Sequence, residues 1–289
     1  MHQEKENMTM SEENCAHDCS SCGKDCQSRK GKPDLSAKPN AASKVRRVIA
    51  VASGKGGVGK SFVTSMLAVA ASRRGLAVGI LDADITGPSI PKAFGVTGGT
   101  VQGEQGIEPA VSNGGIRIMS LNMLVEDPSA PVVWRGPVIA GAVKQFWTDV
   151  HWGGLDVMFV DMPPGTGDVP LTVFQSLPVD GVVVVSSPQR LVEMIVGKSV
   201  KMAQMMDKKV LGLVENMSYF TCPNCSARHH IFGESAADEI AGKFGIPNTL
   251  KLPVNPDFAK AIDAGAAESL SIPEIELFLD SIIALVGSW

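Results

Sequence analysis

Past residue 44 the chain alternates short, continuously apolar runs with longer stretches in which apolar residues recur at helical spacing. Residues 47–53 (RVIAVAS) form the first run, followed by a glycine-rich turn and a predicted helix over 61–74. Further strands are predicted at 78–82, 116–121, 157–161, 181–186, 210–215 and 249–252, and helices at 137–150, 191–206, 235–244 and 273–286. The four consecutive valines at 182–185 mark a strand covered on both faces, which is how parallel sheets with helices on either side read. The expected fold is therefore α/β, a doubly wound and mostly parallel sheet with helices on both faces. No repeat of solenoid period is present.

The segment before this pattern is different in kind. Residues 1–44 contain no Phe, Trp, Tyr, Ile or Val, and Leu35 is their only large branched apolar residue. Such a stretch cannot bury a core and is expected to be disordered unless a metal organises it. Pro33 and Pro39 among small polar residues give its last part the composition of a linker. The expected organisation is a Cys-rich tail and linker over 1–44 and one domain over 45–289.

Composition narrows the function. The 289 residues are 44% hydrophobic and 19% charged, enough apolar material for a sizeable core, and no window approaches the roughly 18 apolar residues of a spanning helix. Formal net charge is −4, so neither a nucleic acid nor a membrane is expected as partner. The first residues carry no apolar h-region, which makes the cytoplasm the expected compartment and disfavours structural disulfides. Six cysteines nevertheless fall into two groups: Cys15, Cys19, Cys22 and Cys26, and the pair Cys222 and Cys225. That grouping points to metal chemistry.

The run Gly54, Lys55, Gly56, Gly57, Val58, Gly59, Lys60, Ser61 matches G-x4-G-K-[ST] and lies between a predicted strand and helix, as a phosphate loop must. Its glycines let backbone N–H groups turn inward around phosphates, Lys60 would neutralise β- and γ-phosphate charge, and Ser61 would offer its hydroxyl to Mg²⁺. Residues 157–161 (VMFVD) end in Asp161, the Walker B arrangement in which a carboxylate holds Mg²⁺ directly or through water. Asp82 and Asp84 leave the sheet at the edge where ligands bind in open α/β folds. Asp82 also suits a cap for the following turn.

Lys55 makes the loop the deviant form K-G-G-x-G-K-[ST]. In this the sequence resembles the dimeric ATPases that include MinD, ParA, the nitrogenase iron protein and the Mrp/ApbC-type iron–sulfur carriers. The resemblance implies that Lys55 reaches across a homodimer to the partner's phosphates, comparable to an arginine finger. It implies that Asp84 orients or deprotonates the attacking water, and that residues 161–168 (DMPPGTGD) form a switch sensing the γ-phosphate. Asn216 is similar to the base-contacting Asn of the class. No N/T-K-x-D guanine signature follows the predicted strands, so ATP is the expected nucleotide.

Two thiolates spaced as Cys222 and Cys225 supply half of a tetrahedral zinc site or of a four-iron cluster site. A two-fold dimer would complete four. On the residues alone other readings stay open: a zinc knuckle with His229 and His230, a redox disulfide, or structural thiols. The segment V-E-N-M-S-Y-F-x-C-P-x-C is similar to the Mrp/ApbC segment whose cysteines bridge a 4Fe-4S cluster between subunits, and V-W-R-G-P at 133–137 also resembles that family. With these motifs the resemblance spans residues 47–253. It implies an ATP-dependent carrier that hands its cluster to apo iron–sulfur proteins. Some family members have an N-terminal four-cysteine ferredoxin-like motif, and the C-x3-C-x2-C-x3-C set here can wrap a cluster or zinc within one chain. Alternatives from the wider class are a ParA/MinD-like positioning ATPase and a reductase like the nitrogenase iron protein. Methionines 194, 202, 205 and 206 on one predicted helix read as core or interface filling.

Overall fold

A computed structural model of the chain describes residues 35–84, 89–124, 136–188, 191–287 and 289. The cysteines at 15, 19, 22 and 26 and the residues Val133, Trp134 and Arg135 lie outside these. Strand β1 (Lys44–Ala52) leads through the glycine-rich loop into α1 (Lys60–Arg73) and then β2 (Val78–Asp82). After the short helix α2 (Ser89–Ala93) come a small hairpin of β3 (Val101–Gly103) and β4 (Gly106–Glu108), then β5 (Ala110–Val111) and β6 (Arg117–Ser120). Helix α3 (Gly136–Thr148), β7 (Gly154–Asp161), α4 (Asp168–Ser176), β8 (Gly181–Ser186) and α5 (Val192–Met205) come next. The last third comprises β9 (Val210–Thr221), β10 (Arg228–His229), α6 (Ala237–Phe244), β11 (Thr249–Pro253), α7 (Pro256–Asp263) and α8 (Pro273–Val286).

The main sheet runs β10-β9-β8-β1-β7-β2-β6-β5, with β11 also on β9. Every pairing is parallel except those of β5 with β6 and β10 with β9 at the two margins. Alternation along the strands feeds two hydrophobic layers. Val48, Ala50 and Ala52 of β1 join Val182 and Val184 of β8 in one, packed under α3, α4, α5 and α6. Ile49, Val51, Val183 and Val185 point the other way, into a layer closed by α1, α2 and α8. This is the mostly parallel, two-sided sheet expected from the valine runs.

Helix ends follow local chemistry. Asn255 caps α7 by accepting the Asp257 N–H at 2.9 Å, with Pro256 behind it, and Gly245 ends α6 in the left-handed region at φ 65°. Part of the linker is docked on the domain. Ala37 donates to the Ser176 carbonyl at 2.8 Å and accepts from Trp147 Nε1 at 2.9 Å.

Candidate functional site

The register sets the site. Val51 of β1 pairs with Asp161 of β7, Asp161 with Asp82 of β2, and Asp82 with Ser120 of β6, so two carboxylates end adjacent central strands in one row. The loop of residues 53–60 leaves β1 beside them. Gly57 and Gly59 take positive φ of 78° and 81°, and Gly59 is the N-cap of α1. A Cβ at Gly59 would collide with the Asn216 amide, and one at Gly54 would lie 2.6 Å from Ile195 Cγ2 of α5. Asn216 is 7% exposed and donates from Nδ2 to the Val58 carbonyl at 3.1 Å, so here its amide braces the loop.

Lys60 lies inward. Its Nζ is 2.8 Å from Asp161 Oδ1 and 3.3 Å from Asp84 Oδ2, while Ser61 Oγ donates to Asp161 Oδ2 at 2.6 Å. Thr64 Oγ1 is 2.8 Å from Asp161 Oδ1. Asp82 acts as the turn support expected of it: Oδ1 accepts the Asp84 backbone N–H at 3.0 Å, and Oδ2 meets Ser120 Oγ at 2.8 Å. Burial first, and then the neighbouring Asp161 charge, push the Asp82 carboxyl well above 3.8. A cavity of about 310 Å³ opens over the loop, bounded by Gly57, Lys60, Ser61, Asp84, Ser89 and Pro164. Hard oxygen donors from Ser61 and Asp161 beside a lysine and a nest of N–H groups suit Mg²⁺ and a polyphosphate.

Lys55 is exposed in the same loop. The structure thus brings together Lys60, Ser61, Asp84 and Asp161, with Asn216 against the loop that also carries Lys55. Thr64 and Ser120 belong to none of the sequence motifs. Thr64 nevertheless has a signal in the sequence, because it stands one helical turn after Lys60 and so on the same face of α1.

The cysteine pair sits apart, at the tip of the β9–β10 hairpin. Thr221 pairs with Arg228 and Phe220 with His229, and the turn closes through Cys222 N–H to the Ala227 carbonyl and Ser226 N–H to the Cys222 carbonyl, both at 2.9 Å. Cys225 is exposed and Cys222 half-buried; both are free thiols. The backbone N–H groups of Asn224 and Cys225, and then the Cys225 thiol, hold the Cys222 thiol below its ordinary 9.0. Such donors prepare a thiolate. His230 turns elsewhere, with Nδ1 3.2 Å from the Ser218 carbonyl oxygen and Nε2 3.6 Å from Glu234. Among the described residues no three His, Cys, Asp or Glu side chains converge as a metal site, so the single-chain zinc knuckle finds no support there.

A phosphate loop at the carboxyl edge of a parallel sheet, with a strand-terminal aspartate beside it, defines a P-loop nucleotide-binding protein. More particularly, residues 44–284 match the model of the NUBPL iron-transfer P-loop NTPases within the ParA group, and the chain belongs to that family. It is 44% identical over 225 residues to the iron-sulfur cluster carrier protein of Methanocaldococcus jannaschii, covering 77% of this chain and 78% of that one. It is 39% identical over 257 residues to the cytosolic Fe-S cluster assembly factor CFD1 of Eremothecium gossypii, covering 86% and 91%. Among solved structures, a nucleotide-binding protein of Archaeoglobus fulgidus in complex with ADP superposes with a TM-score of 0.73 at 44% identity, covering 81% of this chain and 92% of that one. The MinD cell division protein of Aquifex aeolicus, at 18% identity and a TM-score of 0.55 over 84% of this chain and 98% of that one, shares the fold.

Proposed function

We propose that the protein is a homodimeric, ATP-dependent carrier that holds a 4Fe-4S cluster on Cys222 and Cys225 of both subunits and passes it to apo iron–sulfur proteins. The observation that carries this reading is the isolated thiol pair: two cysteines on one hairpin, one with a lowered thiol pKa, and no third ligand among the described residues. A second copy supplies the missing two. Exposed Leu191 and Met194 at the start of α5, beside the phosphate loop, and Ile231 and Phe232 just after the hairpin offer apolar surface for that copy.

In the nucleotide site the loop's N–H groups and Lys60 hold the phosphates, and Asn216 keeps the loop shaped. Mg²⁺ on Ser61 and Asp161 would offset charge on the β- and γ-phosphates. Asp84, fixed through its N–H by Asp82, orients the attacking water, and Lys55 meets the partner's phosphates. The four N-terminal cysteines form a second thiolate set for iron–sulfur or zinc, and reduced thiols suit a cytoplasmic setting.

The test is anaerobic reconstitution of the full chain with iron and sulfide, read by visible absorption, ATP hydrolysis and transfer to an apo acceptor. The expected result is transfer by the wild type and its loss in Cys222→Ser and Cys225→Ser. Normal transfer by Cys222→Ser, or a colourless protein with zinc on this pair, would overturn the reading. An ATPase indifferent to both substitutions would instead be a positioning switch.

A further inference from the structure

We propose that Thr64 is the positioning residue of Asp161, the group that keeps Oδ1 of this carboxylate aimed once nucleotide has drawn Lys60 away. The inference rests on the nucleotide-site reading above and concerns a side chain to which that reading gives no part.

Asp161 is fully buried at the end of β7, and three side chains share its two oxygens. Lys60 Nζ and Thr64 Oγ1 both lie 2.8 Å from Oδ1, and Ser61 Oγ lies 2.6 Å from Oδ2. Two of the three have other work. A phosphate-loop lysine serves β- and γ-phosphates, and the adjoining hydroxyl serves Mg²⁺. As Lys60 turns to the phosphates, Oδ1 of Asp161 loses its ammonium, whereas Ser61 can ligate Mg²⁺ through a lone pair and still donate its proton to Oδ2.

Thr64 has no such call on it. It is fully buried, and four residues after Lys60 it faces β7 from within α1. Its one alternative acceptor is the Lys60 carbonyl oxygen at 3.0 Å. A carboxylate is the stronger acceptor of the two, so the hydroxyl proton belongs to Oδ1. The helix that ends the phosphate loop is thereby pinned to the strand that ends in the metal-binding carboxylate, with Oδ2 left toward the loop. A buried carboxylate with a donor on only one oxygen is free to rotate, and rotation weakens it as a metal ligand.

The experiment uses the full chain and three measurements: Mn²⁺ affinity of the ADP-bound protein by electron paramagnetic resonance, ADP affinity without divalent metal by calorimetry, and the urea midpoint. Thr64→Val removes the hydroxyl and keeps the branched shape, while Thr64→Ser keeps the hydroxyl. For Thr64→Val we expect Mn²⁺ affinity to fall about 10-fold or more, in the range of lost outer-shell ligand support. Metal-free ADP affinity should be unchanged, and Thr64→Ser should restore Mn²⁺ binding. Wild-type Mn²⁺ affinity in Thr64→Val overturns the proposal. So does a parallel loss of metal-free ADP binding, which would mark Thr64 as a general packing residue, or failure of Thr64→Ser to rescue. A wild-type chain that binds no ADP would defeat the nucleotide reading itself, and is seen before any variant is compared.

Discussion

Gly57 and Gly59 provide a controlled comparison inside the phosphate loop. Both have left-handed backbones, at φ 78° and 81°. An alanine at either site carries the left-handed penalty of about 1–2 kcal/mol. Only at Gly59 does the added methyl meet something, the Asn216 side-chain amide; around Gly57 nothing lies within 4 Å. Gly59→Ala must therefore also displace the Asn216–Val58 hydrogen bond, a further loss of about 0.5–1.5 kcal/mol. The expected destabilisation is about 1.5–3.5 kcal/mol for Gly59→Ala and about 1–2 kcal/mol for Gly57→Ala, or about 3–14 °C against 2–8 °C in Tm for a domain of this size. Urea denaturation at 25 °C without nucleotide measures both. In an Asn216→Ala background the obstruction is gone, and the cost of Gly59→Ala should fall to that of Gly57→Ala. Equal costs in the wild-type background, or no relief in the double variant, would refute the idea that Asn216 sets the loop's shape.

Two further outcomes rest on the charges. Asp82 has a folded pKa raised above 3.8, so its contribution to stability is present below that pH and lost as pH rises through the folded value; Asp82→Asn should flatten the decline of stability with rising pH, and parallel curves for the two proteins would count against a strained Asp82. Cys222, held below 9.0 by the Asn224 and Cys225 N–H groups, should show an alkylation midpoint below that pH in site-resolved mass spectrometry of reduced, cluster-free protein, and a midpoint at or above 9.0 would contradict the hairpin geometry.

Legibility in the sequence tracks burial. The strands at 78–82 and 181–186 and the helix at 273–286 are readable to the residue, because a continuous apolar run or a helical stripe is dictated by the two layers it fills. Helices α2, α4 and α7 escape the apolar pattern. The first and last are short, α7 buries no residue fully, and α4 begins within the motif read as a switch. Asn255 followed by Pro256 is a start signal that could expose α7. In the site, Lys60 and Ser61 open α1 beside Asp161 at the end of β7, since a strand, a tight loop and a helix leave little freedom. The partners of Thr64 and Ser120 are hidden for the opposite reason: their contacts with Asp161 and Asp82 join residues 97 and 38 positions apart, and only the helical spacing of Thr64 from Lys60 hints at its face.

The largest departure is β9, which the apolar pattern ends near residue 215 and which runs to Thr221. Its first part is core, with Leu211, Leu213 and Val214 buried; its last part stands clear of both layers. Between them Met217 takes φ 59°, and the pairing with β11 slips, Lys251 facing Glu215 and Pro253 facing Tyr219. A bulge of this kind bends the strand and re-aims the residues beyond it. Asn216, touching the phosphate loop, lies just before it, and Cys222 lies six residues further, about 20 Å of extended chain. The overhang is tied by the His229–Phe220 and Arg228–Thr221 pairs, by Val254 N–H to the Tyr219 carbonyl at 2.7 Å, and by Arg228 over the Tyr219 ring at 4.5 Å. None of these ties belongs to the hydrophobic core. The bulge and these ties, rather than either hydrophobic layer, thus set where the hairpin points, and Asn216 at its root joins it to the glycine-rich loop.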